Sequence, residues 1–350
     1  MRVALLGVGR IGRFHARLLS QMRGVSDLMV ADLLAARSAE VAAEVGATAE
    51  VSVEAALDRA KAVVIAASTD AHPALVRASI RRGLPTFCEK PLASNLAETI
   101  ALAREIEASG VPFQLGFQRR FDAGYREARR LITSGDLGTL YAVRMAGHDP
   151  APPPEAYIPT SGGLFRDFSI HDFDILRWLT GREVEEVYAD GGVRGFEVFA
   201  KYDDVDTAVA TLRLADGPFA VLTVARHDPL GYDVRTEVFG SKDSIAVGLG
   251  PRMPLRSVEP GVPAPEGPAW NGFLVRFEDA YRAELVEFLR VAQREVESAC
   301  SARDGLEALR VAEAATLALQ EHRIVSLAEI PGLELTMAAS VPVPVAEDAR

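Results

Sequence analysis

The chain has only two cysteines, Cys88 and Cys300, far apart in sequence. Two isolated thiols exclude a disulfide framework and a cysteine-built zinc centre, and they suit a reducing compartment. No apolar stretch approaches the roughly 20 residues that cross a bilayer. The N-terminal run MRVALLGVGRIGRFH is short and has no small-residue cleavage site behind it, so it reads as a buried strand rather than a signal peptide. Positive charge is in short supply: 38 Lys and Arg stand against 49 Asp and Glu, a net −11, and no stretch concentrates it. That argues against a partner with a phosphate backbone. No two of the six histidines have metal-ligand spacing, so no metal is expected. Internal repeats are absent. These gaps point to a soluble, cytoplasmic protein with neither nucleic acid nor membrane as partner.

What is present is an ordinary globular composition, 49% hydrophobic and 25% charged, over 350 residues, enough for two domains. Up to about residue 120, short apolar runs such as Val3–Gly7, Asp27–Ala31 and Ala62–Ala67 alternate with helical patterns. This alternation predicts an α/β domain: a Rossmann-type parallel sheet with helices on both faces, residues 1–120. Beyond it, strand-like runs follow one another without helices between them. They predict an α+β domain with a mostly antiparallel open sheet, residues 121–340, and a flexible tail, residues 341–350. Two long helices are expected in the second domain's last third, Phe273–Glu297 and Asp304–Glu321.

Gly7-Val8-Gly9-Arg10-Ile11-Gly12 is a G-x-G-x-x-G placed where the first strand turns into the first helix. In such a turn the first glycine allows the tight bend, the second lets a pyrophosphate approach the backbone, and the third lets helix pack on strand. The phosphates then face the positive helix N-terminus. Asp32 lies 20 residues past Gly12 at the end of the next strand, where a carboxylate grips a ribose 2′-hydroxyl and repels a 2′-phosphate. NAD is therefore expected over NADP. Arg37 could reach the adenosine end or could be a solvated helix residue.

Glu89-Lys90-Pro91 closes a predicted strand at the sheet edge where α/β folds bind ligands. A lysine there can stabilise charge developing on a substrate oxygen; alone, the tripeptide could equally be a surface charge pair. Further on, Asp167 and His171 are four apart on a predicted helix, Leu164–Leu179, and would share a face. A carboxylate beside an imidazole would orient it and raise its proton affinity. From spacing alone, a surface pair or a core histidine is as good a reading.

Together, the glycine turn followed by His15, the segment Thr69-Asp70-Ala71-His72-Pro73, Glu89-Lys90-Pro91, and Gly162-Gly163 with Asp167-x-x-x-His171-Asp172 resemble the Gfo/Idh/MocA oxidoreductase family over nearly the whole chain. The resemblance is strongest to its inositol 2-dehydrogenases. It implies NAD-dependent oxidation of a cyclitol carbinol, with Lys90, Asp167 and His171 as catalytic triad. It implies a cis Lys90–Pro91 bond, and Glu89 and Lys90 beside the nicotinamide. The cofactor set it suggests is Gly7, Gly9, Arg10, Ile11, Gly12, Asp32, Arg37, Ser68, His72, Glu89, Lys90 and Gln118. Arg119, Asp149 and Tyr232 are the substrate candidates, whereas Asp172, Asp174 and Arg177 read as structural. Leu230 stands where the pattern usually has an aromatic, which leaves a pyranose sugar as an alternative substrate. A non-catalytic dinucleotide sensor is the remote alternative. A homotetramer is expected, because one face of the second sheet has no helices to cover it.

Overall fold

The computed structural model describes residues 1–333; the expected tail at 341–350 and the expected domain end at 340 lie outside the described residues. The first sheet is formed by β1 (Arg2–Leu6), β2 (Asp27–Ala31), β3 (Thr48–Ala49), β4 (Ala62–Ile65), β5 (Thr86–Glu89) and β6 (Phe113–Gly116). All six strands run parallel in the order β3-β2-β1-β4-β5-β6. The connecting helices are α1 (Arg10–Ser20), α2 (Ala35–Val45), α3 (Val53–Arg59), α4 (His72–Ile80) and α5 (Leu96–Ser109). Strand residues alternate between two cores: Val3 and Leu5 point to one with Phe14 and Leu18, Ala4 and Leu6 to the other with Leu57 and Leu102. Both faces being covered explains why these strands read as continuous apolar runs. Asn95 caps α5 by accepting the Glu98 N–H at 2.9 Å.

After α6 (Ala123–Thr133) come β7 (Leu140–His148), a one-turn α7 (Ile158–Ser161), a π-helical turn over Phe165–Ser169, α8 (Ile170–Thr180), β8 (Val184–Gly192), β9 (Thr207–Leu214), β10 (Phe219–Ala225), β11 (Asp233–Gly240) and β12 (Ser244–Val247). The chain continues through α9 (Phe273–Arg276), α10 (Glu278–Ala292), α11 (Ala302–Glu321) and β13 (Val325–Ser326). The second sheet has the order β12-β11-β7-β10-β9-β8-β13. It is antiparallel except for the central β7–β10 pair, so it is mixed. Leu212, Leu222 and Val224 on its inner face pack with Leu176, Val311 and Ala315 of the helices. The outer face exposes Tyr141, Tyr188, Val209, Phe219 and Val221.

Two differences from the sequence reading matter for the site. The single helix expected over Leu164–Leu179 begins as a π turn, and the one expected over Phe273–Glu297 breaks at the buried Phe277 into α9 and α10. The last helices also return to the first domain: the Leu115 N–H donates to the Cys300 carbonyl at 2.9 Å, and Ala308 and Leu309 of α11 join the core under β6. At the junction the buried Arg120 donates to both Asp174 oxygens at 2.9 and 2.5 Å, to the Ala299 carbonyl at 2.6 Å and to Asp304 at 3.0 Å. None of the described helices is long and apolar enough to cross a membrane.

Candidate active site

The glycine turn has the backbone that a dinucleotide needs. Gly7 has φ +86°, and a Cβ there would collide with Ala67; a Cβ on Gly12 would collide with the Gly7 carbonyl. A Cβ on Gly9 would meet nothing within 4 Å, so the second glycine faces open space where a pyrophosphate can approach. No side chain caps the start of α1, which leaves its positive end for an anion. Asp32 serves the turn itself: its oxygens accept the Val8 N–H at 2.9 Å and the Leu34 N–H at 3.0 Å. Arg37 lies 3.5 Å from Asp32 and Arg10 lies over the Phe273 ring. Exposed Ser68 stands just beyond β4, at the edge where β1 and β5 also end. These residues fit an NAD: a cradle open only at Gly9, an uncapped helix and a carboxylate at the ribose position.

His72 and Gln118, expected as cofactor contacts, are both buried. Both His72 nitrogens face backbone carbonyls, Pro91 at 2.8 Å and Ala67 at 3.2 Å, and a neutral ring donates to one of them. Burial lowers its pKa, which favours the neutral ring. Gln118 is 2% exposed at the domain junction. Glu89, also buried, holds His15 by a 2.6 Å hydrogen bond.

Lys90 follows β5, and its peptide bond to Pro91 is cis, as the resemblance implies. Its Nζ reaches into the second domain, donating to the Asp167 carbonyl at 2.9 Å and lying 3.7 Å from Asp167 Oδ1. Asp167 also accepts the Tyr157 hydroxyl at 2.8 Å and Arg226 Nη1 at 2.8 Å. Burial pushes this carboxyl up, but Lys90 and Arg226 outweigh it and hold Asp167 below its ordinary range. His171 opens α8, edge-on to Phe117 at 5.6 Å. Burial, then Lys90 and Arg119, push its pKa well below the usual value, so it is neutral at pH 7.

The Asp167–His171 pairing expected from their spacing does not form. The π turn takes up Asp167, whose carboxylate points to Lys90, Arg226 and Tyr157, and His171 Nδ1 is buried with no partner. Instead of a proton affinity raised by a carboxylate, the imidazole has one lowered by burial and then by two cations. Arg119 differs too. It is 2% exposed, paired with Asp172 and set 5.8 Å from the Phe277 ring, so its charge is committed inside the protein. An enclosed guanidinium requires such a carboxylate. Asp172, Asp174 and Arg177, read from the sequence as structural, pair with Arg119, Arg120 and Glu183. Tyr232 is buried beside Phe277. The Asp149 carboxyl lies 3.8 Å from Arg226 and is about one-fifth exposed.

Tyr157 and Arg226 were not singled out from the sequence. No local motif marks them: they lie on a loop turn and a strand end, 10 and 59 positions from Asp167. Among the described residues one trio, His148, Asp228 and Asp233, gathers metal-ligand residue types. Both Asp233 oxygens already accept from Arg235, at 2.8 and 3.0 Å, and no metal is assigned to the trio.

Comparison with known proteins gives matches over both halves. Residues 1–117 match the model of an oxidoreductase family with an NAD-binding Rossmann fold, and residues 125–246 match the GFO/IDH/MocA C-terminal domain. A myo-inositol dehydrogenase of Streptomyces leeuwenhoekii is 40% identical, over 90% of this chain and 96% of its own. A scyllo-inositol 2-dehydrogenase (NAD(+)) of Bacillus subtilis is 34% identical, over 82% and 85%. The crystal structure of scyllo-inositol dehydrogenase from Lactobacillus casei with bound NAD(H) and scyllo-inositol superposes with a TM-score of 0.83 at 27% identity, covering 93% of this chain and 98% of that one. With both domains matched and a relative 40% identical along nearly its full length, the chain belongs to the GFO/IDH/MocA family of NAD-binding oxidoreductases.

Proposed function

We propose that the protein oxidises one ring secondary alcohol of a cyclitol, myo- or scyllo-inositol, to the ketone with NAD. The carrying observation is the Lys90 ammonium set 2.9 Å from the Asp167 carbonyl, where the end of β5 meets the second domain. Bound NAD supplies the hydride acceptor. Gly7, Gly9, Arg10, Ile11 and Gly12 hold its phosphates, Asp32 its ribose, and Glu89 and Lys90 border its nicotinamide. Lys90 polarises the substrate hydroxyl and stabilises negative charge developing on it. His171, kept neutral by its surroundings, takes the hydroxyl proton. Asp167, kept ionised, fixes Lys90 and accepts a hydrogen bond from the substrate. Asp149 and Tyr232 border the ring, and Arg119 acts through Asp172.

The relatives named as inositol dehydrogenases support the substrate class. One observation favours a pyranose sugar as second reading: Leu230, in place of an aromatic wall, is 52% exposed and could leave room for a larger ring. The test is NAD reduction with myo-inositol, scyllo-inositol, D-chiro-inositol, glucose, xylose and galactose. Saturable turnover on an inositol is expected; turnover on a sugar with none on any inositol selects the second reading.

The same proposal covers assembly and place. The exposed apolar face of the second sheet, with Phe219 60% exposed, supports a homotetramer built by pairing these faces. Two free, buried thiols, Cys88 and Cys300, support a cytoplasmic enzyme. The division at residues 120 and 121 assigns the cofactor to the first domain and the substrate to the second.

A further inference from the structure

We propose that Arg226 is a positioning residue: it reserves the ionised state for Asp167 and leaves Asp149 as the carboxyl that exchanges a proton in the working chamber. The catalytic setting of this proposal rests on the dehydrogenase reading above.

Arg226 directly follows β10, whose last residue, Ala225, pairs with His148 at the end of β7. Arg226 and Asp149 therefore leave two adjacent parallel strands side by side. The arginine is 2% exposed, and its backbone N–H donates to the Asp206 carbonyl at 2.8 Å. Asp206 in turn accepts the amides of Arg194, Gly195 and Phe196 within 2.8 Å, so the anchor is itself held.

From that anchor one cation faces three carboxylates, Asp167, Asp149 and Asp204, and is shared unequally between the first two. Its Nη1 lies 2.8 Å from Asp167 Oδ2 but 3.8 Å from Asp149 Oδ2. Asp167 has Tyr157 and Lys90 besides. No hydrogen bond to the Asp149 carboxylate occurs among the described residues, and Arg226 Nε is buried without a partner. Two enclosed carboxylates with one strongly bound cation between them take their protons at different pH.

The charges around Asp149 agree with the geometry. Burial pushes its carboxyl up, Arg226 pulls it back, Asp167 pushes up again, and Lys90 and Arg10 pull down. Tyr232, just before β11, faces it with its own ionisation pushed up by burial. The balance puts Asp149 at about 7, while Asp167 stays low.

The consequence is a contact that changes sense. Ionised, Asp149 accepts a hydrogen bond from a ring hydroxyl; protonated, it offers a donor where an acceptor is needed. Polyol capture then weakens as pH falls through neutrality, because the ionised fraction drops about tenfold per pH unit below the midpoint.

The experiment has two arms. An infrared difference titration of the ligand-free protein from about pH 5 to about pH 9 reads the carboxylic-acid carbonyl band and needs no substrate. A band that disappears near pH 7 is expected in the wild type. It should be missing in Asp149→Asn, retained in Arg226→Lys, and shifted to higher pH in Arg226→Gln. An unchanged band in Asp149→Asn, or no carboxyl titrating in that range, overturns the proposal. The second arm is the pH profile of kcat/KM with inositol. An acid limb near 7 in the wild type and its absence in Asp149→Asn support the assignment, whereas a limb unchanged by that substitution overturns it. Arg226→Lys should restore much of the kcat lost in Arg226→Gln; equal loss in both would mean that the arginine only supports the fold. If no cyclitol is turned over but the infrared titration behaves as expected, the substrate reading fails and the proton assignment stands.

Discussion

His15 and Glu89 are 74 positions apart and share one buried hydrogen bond, Nε2 to Oε1 at 2.6 Å. It ties α1, which opens at the glycine turn, to the strand that ends at Lys90. His15 Nδ1 is buried with no partner, so the contact with Glu89 is the side chain's one hydrogen bond among the described residues. Glu284 is buried nearby; burial, then Glu89, push its carboxyl well above the usual range, so Glu89 has a neutral acid rather than a second anion beside it. His15→Ala removes the donor and leaves Glu89 enclosed without it, a cost of about 1–3 kcal/mol. The expected outcome is a lower Tm and weaker NADH binding, checked by thermal unfolding and by fluorescence titration.

Cofactor choice follows from Asp32. The wild type is expected to prefer NAD strongly by kcat/KM. Asp32→Ser should narrow that preference, because the repulsion of a 2′-phosphate goes and Arg37, now 3.5 Å from the carboxylate, remains to receive it. The same variant loses acceptors for the Val8 and Leu34 amides, so its Tm should fall as well. Equal kcat/KM for both cofactors in the wild type would defeat the assignment.

Lys90 and His171 should fail with the same kinetics and for different reasons. His171→Ala loses the proton acceptor, a drop of roughly 10²–10⁴ in kcat. Lys90→Ala loses charge stabilisation at the reacting oxygen and should cost a comparable factor. NADH dissociation constants should stay close to wild type in both. A variant with near-normal kcat would remove its residue from the mechanism.

Asp149 gives stability a pH dependence of known sign. Its carboxyl ionises at about 7 when folded, against 3.8 for the ordinary group. Between those values the folded chain keeps a proton that the unfolded chain has lost, so this group's contribution falls as pH rises and levels off above 7. Asp149→Asn removes the slope. Its Tm relative to wild type should therefore be more favourable at pH 8 than at pH 4, measured by calorimetry.

Assembly is tested on the open sheet face. Phe219 and Val221 sit on its central β10, 60% and 40% exposed. Phe219→Glu with Val221→Lys should lower the sedimentation mass from that of a tetramer and leave the far-ultraviolet circular dichroism unchanged. A wild-type monomer at micromolar concentration would exclude the proposed pairing.

Local signals carried much of the fold and part of the site. The glycine turn and Glu89-Lys90-Pro91 are contiguous, and their chemistry follows from backbone requirements that neighbouring residues state directly. Asp27–Ala31 matches its expected boundaries because turn residues flank it. The two-residue β3 and β13 are too short for any period to show. The parallel β7–β10 pairing was hidden because four elements, α7, α8, β8 and β9, intervene in sequence. Asp167 and His171 were found by spacing, but the pairing inferred from it assumed α-helical rise, and the π turn undid that. Arg226 and Tyr157 reach Asp167 only through tertiary structure, so no pattern along the chain could place them.

Arg120 binds Asp174, the Ala299 carbonyl and Asp304 at the segment that leads into the second domain. Pulling this segment off α8 and the start of α11 would strand a buried guanidinium and its carboxylates, a cost of several kcal/mol. The entry to the second domain is thus fixed against its own helices once the chain has folded. Lys90 and Asp167 come from opposite walls, and their 2.9 Å contact holds the ammonium against the second domain. A pair held this way needs little ordering, and turnover should show a small activation entropy compared with enzymes that must first close around their substrate.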